Sequence, residues 1–146
     1  MELDGVDTRT GPSITGLLES ALYVKDVGRS CAFYEALFRF KSLIHEKQFA
    51  VLHIVPGQVL LLFEHGWARM PAKTPGGVIP PHDGSGELHL AFAIPKADLE
   101  AWEERLPEHS VAVESKVRWD RGATSIYFRD PDGHLVELVT PGLWPE

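Results

Sequence analysis

The sequence predicts an α+β fold built from two tandem βαβββ modules, and three observations carry that prediction. A strand-like run, a helix-like run and three more strand-like runs succeed one another over residues 17–64. The same succession restarts over residues 87–142, after a Pro- and Gly-rich connection at 65–86. The first strands of the halves also align: Glu19-Ser-Ala-Leu-Tyr-Val24 lies over His89-Leu-Ala-Phe-Ala-Ile94 at an offset of 70. Self-similarity of this kind marks a duplicated architecture.

Residues 1–16, with Asp4-Gly5 and Gly11-Pro12-Ser13, read as a flexible arm. Ser20–Val24 is the first strand. Phe33, Tyr34, Leu37 and Phe38 recur at helical spacing, which predicts a helix over 28–38. Strands follow at Phe40–Glu46, at Phe49–Val55 up to Pro56-Gly57, and at Val59–Phe63. The last is a continuous apolar run, the pattern of a strand buried on both faces. Residues 65–86 are too long for an idle connection and read as a linker or a pocket-covering loop. In the second half, Glu87–Ile94 is a strand, and Ala97–Leu106 is a helix with Leu99, Trp102 and Leu106 on one face. Val111–Val117, Ala123–Phe128 and Leu135–Val139 complete the module as strands. The final two flank Asp130-Pro131-Asp132-Gly133, which is turn chemistry: Pro131 fixes φ, and Gly133 takes positive φ at little cost.

Composition bounds the function. The chain has 146 residues, 44% hydrophobic and 24% charged, enough for a core without staples. A net charge of −7 argues against nucleic acid and against an anionic membrane surface. One cysteine, Cys31, excludes an intrachain disulfide and reads as a packing residue. No apolar run approaches the ~20 residues of a membrane helix, and no secretion signal stands at the N-terminus. The cytoplasm is the expected compartment.

Glu137 is the awkward residue. It sits in mid-strand among Leu135, Val136, Leu138 and Val139, where an unpaired charge is expensive. Either it faces solvent or something positive meets it. The duplication gives Glu19 and His89 equivalent places, each at the start of a first strand, while Leu61 falls over Glu137. If the modules form facing curved sheets, Glu19, His89 and Glu137 converge. Two carboxylates and an imidazole suit Mn, Fe, Co, Ni or Zn as divalent ions, with positions left open for water or substrate.

The chain resembles the vicinal oxygen chelate superfamily, which includes glyoxalase I, bleomycin-binding proteins, fosfomycin-resistance thiol transferases and extradiol dioxygenases. The resemblance rests on Leu22-Tyr23-Val24-Lys25-Asp26-Val27 with Arg29-Ser30 and Phe33-Tyr34, on His89-Leu90-Ala91-Phe92, and on Tyr127-Phe128-Arg129-Asp130-Pro131-Asp132-Gly133-His134-Leu135-Val136-Glu137. It implies that the two modules pack as an incomplete barrel around a metal cleft. It places metal ligands at Glu19, His89 and Glu137, with the fourth position at Leu61, which cannot bind metal. The implied activity is divalent-metal-dependent and glyoxalase-like, of lyase or isomerase type. A small substrate with vicinal oxygens would pass through a metal-stabilised enolate or alkoxide, with Glu19 and Glu137 as the catalytic carboxylates. The alternatives are thiol transfer, ring-opening dioxygenation, or ligand sequestration without catalysis. The resemblance also implies a homodimer.

Further candidates for the substrate side are His82 and Trp67 in the long connection, Trp119 and Arg121 before the penultimate strand, and Tyr127 on it. Each has a plainer alternative as a solvated or packing residue. His134, in the turn, reads as structural.

Overall fold

The computed structural model describes residues 9–145. The expected N-terminal arm lies outside the described residues up to position 8; residues 9–16 carry no helix or strand and are exposed.

In the first half, β1 (Glu19–Val24) is followed by α1 (Val27–Phe38), β2 (Lys41–His45), β3 (Phe49–Val55) and β4 (Gln58–Glu64). Asp26 caps α1 by accepting from the Arg29 amide at 3.0 Å, and Arg39 closes it in the left-handed region at φ 60°. Val27, Ser30, Cys31, Tyr34 and Leu37 form its buried face. The sheet order is β1-β4-β3-β2, with β1 parallel to β4 and Ala21 opposite Leu61.

The connection carries more structure than a loop. A 3-10 turn at Trp67–Arg69 leads into a hairpin, β5 (Ala72–Thr74) and β6 (Gly77–Ile79). The second half runs β7 (His89–Ala93), α2 (Leu99–Glu108), β8 (Ser115–Arg118), β9 (Thr124–Arg129) and β10 (Leu135–Val139). Its sheet order, β7-β10-β9-β8, repeats that of the first half strand for strand. The α+β fold of two βαβββ modules is therefore observed, as two open four-stranded sheets.

Three element readings need correction. The strand expected at Val111–Val117 begins only at Ser115. Ser110 is left-handed (φ 60°), and the Val111 amide bonds back to the Leu106 carbonyl at 2.9 Å, so this stretch closes α2 instead. The helix itself runs past Leu106 to Glu108 with Pro107 inside its last turn. In β4, Leu60, Leu62 and Phe63 are buried, but Val59 and Leu61 are only half-buried, so the run does not lie in core on both faces.

The chain forms two compact units. One comprises Leu17–His89 with Arg129–Leu135; the other gathers Leu90–Phe128 and the chain from Val136 on. The Asp-Pro-Asp-Gly turn therefore belongs with the first half. Asp132 holds it there, accepting from the Lys25 amide (2.8 Å), Arg29 (3.3 Å) and Ser30 Oγ (3.2 Å). His134 is 1% exposed, and its ring bridges the Leu88 amide at 2.9 Å and the Tyr23 carbonyl at 2.9 Å. Its expected structural role is thus concrete: it ties the end of β1 to the residue before β7. Among the described residues no helix is long and apolar enough to cross a membrane.

Candidate functional site

Glu19 and His89 belong to the first unit and Glu137 to the second, so each is described in its own surroundings.

Glu137 is 5% exposed, in the middle of β10. Ser125 Oγ on β9 donates to Glu137 Oε2 at 2.5 Å, and Trp119 Nε1 donates to Ser125 Oγ at 2.8 Å. The relay fixes the carboxylate from behind, as outer partners fix a ligand. The Tyr127 phenol meets the same pair. Burial first, against a contrary Ser125 hydrogen bond, and then the Glu137 charge hold it above its ordinary value, so it stays a donor. Of the expected substrate-side residues, Trp119 and Tyr127 thus surround Glu137, while Arg121 lies exposed in the turn before β9. Ser125 is the residue that sequence reasoning missed. Its signal was present: it lies two before Tyr127, hence on the same strand face.

His89 opens β7, and its Nδ1 lies 2.9 Å from the Leu135 carbonyl oxygen. A carbonyl only accepts, so Nδ1 carries the proton, and Nε2 is the nitrogen with which the ring in its neutral form would ligate. That is the tautomer a metal-ligating histidine adopts, with a backbone carbonyl as its outer partner.

Glu19 lies in the wall of a cavity of about 570 Å³ that also includes Leu61, Trp67 and His82, all within the first unit. Phe49 and Trp67 stack at 5.5 Å and 13°. Phe63 lies 5.0 Å from Phe49 and 6.0 Å from Trp67. His82 meets the Phe63 ring edge-on at 4.7 Å. Its Nδ1 is 2.6 Å from the Tyr23 hydroxyl. Burial, then the Asp83 charge, raise the Tyr23 phenol, so it keeps its proton and is able to donate to Nδ1.

Gly84 allows this pairing, because a Cβ there would overlap the Tyr23 ring. Gly84→Ala is expected to displace Tyr23 from His82 and to destabilise the fold by about 1–3 kcal/mol. A thermal melt checks the second effect, and the titration of His82 by NMR checks the first.

Outside these residues, Cys31, Glu35 and His45 have ligand atoms all within 4.8 Å of one another. Burial, then the Glu35 charge, push the Cys31 thiol up to about 11 against a Ser42 hydrogen bond, so it is a protonated packing group at neutral pH. Ser42 Oγ donates to Glu35 and closes the cluster.

Comparison with known proteins agrees with this architecture. The metallothiol transferase FosB of Bacillus licheniformis is 31% identical over 128 residues, spanning 87% of this chain and 76% of the relative. The crystal structure of a lactoylglutathione lyase from Agrobacterium tumefaciens superposes with a TM-score of 0.83 at 30% identity, covering 92% of this chain and all of that one. A mutant of the fosfomycin resistance protein FosX from Listeria monocytogenes, complexed with Mn(II) and 1S,2S-dihydroxypropylphosphonic acid, matches at 25% identity and a TM-score of 0.62, over 86% and 90% of the two chains. The sequence profile of one superfamily matches residues 16–138. The chain belongs to the Glyoxalase/Bleomycin resistance protein/Dioxygenase superfamily.

Proposed function

We propose that the chain is a divalent-metal-dependent enzyme of lyase or isomerase type acting on a small substrate with vicinal oxygens, with Glu19, His89 and Glu137 as the metal ligands. The observation that carries the reading is the Nδ1–H of His89 committed to the Leu135 carbonyl, which readies Nε2 as a ligand atom. The donor set fits as well. Glu137 is a buried carboxylate backed by the Trp119–Ser125 relay, and no thiolate belongs to the set, as suits Mn, Fe, Co, Ni or Zn. When bound, such an ion supplies Lewis-acid stabilisation of negative charge developing on substrate oxygen.

The remaining work falls to side chains. Glu19, exposed in the cavity wall, takes the proton from a carbon next to a carbonyl. His82, oriented by Tyr23, lines the same cavity. The aromatic wall excludes water from the reacting carbon.

The test is solvent deuterium exchange into the hydroxymethylene carbon of 2-hydroxyacetophenone, a ketone with a vicinal hydroxyl. Exchange is expected with metal-loaded protein, and a fall of about 100-fold or more in Glu19→Gln. Equal exchange by the metal-stripped protein, or by Glu19→Gln, contradicts the reading.

A homodimer is part of the proposal. Exposed Ile14, Leu17 and Leu18 supply apolar surface of the kind that association covers. Light scattering is expected to give twice the 16.2 kDa chain mass, and a monomer mass overturns the expectation.

A further inference from the structure

The cavity beside Glu19 differs from an anion site in one respect: its wall is aromatic and aliphatic, and among the described residues no lysine or arginine side chain lines it. Its polar side chains are Glu19 and His82. Against this wall in the metal-free protein, a phosphonate or carboxylate would lose its hydration without gaining a guanidinium or ammonium partner, and would meet the Glu19 charge. The arginine nearest in sequence to the aromatic wall is Arg69, and it is already committed to Asp83 at 2.7 Å.

What the wall does offer is ring faces and width. Phe49, Phe63 and Trp67 lie within 27° of parallel, so a flat ligand meets rings of one orientation. Trp67 remains 40% exposed and Met70 74% exposed, both at the cavity, so apolar surface is left for a ligand to cover. The volume, about 570 Å³, is several times the ~150 Å³ that holds a benzene ring.

We infer that the aromatic wall of this cavity takes an uncharged, planar aromatic group in preference to a phosphonate anion, so that the substrate of the enzyme is an aromatic compound bearing vicinal oxygens. The inference rests on the proposed function only in taking the cavity as the substrate side. The discrimination itself follows from the wall, and it sets this chain apart from the FosX protein whose structure holds a phosphonic acid.

The experiment uses the neutral two-ring fluorophore N-phenyl-1-naphthylamine, with methylphosphonate as competitor, on metal-stripped and metal-loaded full-length protein. Binding of one probe per chain is expected, weakened about tenfold by Trp67→Ala through loss of a stacked wall. Methylphosphonate is expected not to displace the probe from the metal-stripped protein. Ile79→Arg, which sets a cation at an exposed cavity position, provides a second variant and is expected to make methylphosphonate a competitor. Displacement by methylphosphonate in the metal-stripped wild type overturns the inference, and so does unchanged probe binding in Trp67→Ala. If the protein binds metal but its metal-stripped form prefers methylphosphonate, the inference falls and the enzyme reading stands. If it binds the probe but takes up no metal, the inference stands and the enzyme reading falls.

Discussion

Glu137→Gln is expected to lower metal affinity by at least about 100-fold while leaving the metal-free fold as stable as the wild type or slightly more so. The two effects separate because the substitution keeps shape and removes charge. The amide oxygen of the introduced side chain still accepts from Ser125 Oγ, so the Trp119–Ser125 relay keeps its end point. A neutral amide costs less to bury than a carboxylate 5% exposed in an apolar strand. Loss of an outer partner alone typically costs about 10–100-fold in metal affinity, and loss of a ligand costs more. Competition with a chromophoric chelator measures the first effect, and a melt in excess chelator measures the second. Affinity equal to wild type would remove Glu137 from the ligand set. A large fall in metal-free stability would make it a structural carboxylate.

The largest effect on the fold is expected at Asp130. Its side chain is 5% exposed and accepts three hydrogen bonds: from the Tyr34 hydroxyl at 2.7 Å, the Asp132 amide at 2.9 Å and the His134 amide at 3.0 Å. Tyr34 is wholly buried on α1, and burial, then the Asp130 charge, keep its phenol protonated and donating. Asp130→Ala leaves a buried hydroxyl and two turn amides without their acceptor, at about 1–3 kcal/mol each, less than additive in sum. A loss of about 3–4 kcal/mol in urea unfolding is expected. Asp130→Asn, which retains one acceptor oxygen, is expected to lose less. If Asp130→Ala costs under about 1 kcal/mol, the turn is not held as described.

These two residues show what the sequence makes legible and what it hides. The duplication was readable because apolar strands, a helical spacing and turn residues recur in one order, and the equal strand orders of the two sheets reflect that. The equivalence of Glu19 and His89 was readable too, since each opens the first strand of its half. The hairpin of β5 and β6 was not. Its strands have three exposed residues each, too short for an alternating pattern, and Pro75-Gly76 between them reads as linker. Val111 misled for another reason: an apolar residue in a strand-like run is here 9% exposed because it packs where α2 closes.

Asp132 and His134 sit in an ordinary turn by composition. Their partners, Lys25, Arg29, Ser30, Tyr23 and Leu88, lie 46 to 111 positions away. Only tertiary structure reveals that the turn latches onto the first half. Ser125 was hidden in the same way, since its importance comes from β10 lying beside β9.

The most direct test of the proposed ligand set is a crystal structure of the manganese- or zinc-loaded protein, with anomalous data collected at the metal edge. One anomalous peak per chain is predicted, bonded to a carboxylate oxygen of Glu19, Nε2 of His89 and a carboxylate oxygen of Glu137. A peak held instead by Cys31, Glu35 and His45, or no peak in protein soaked at saturating metal, would contradict the account.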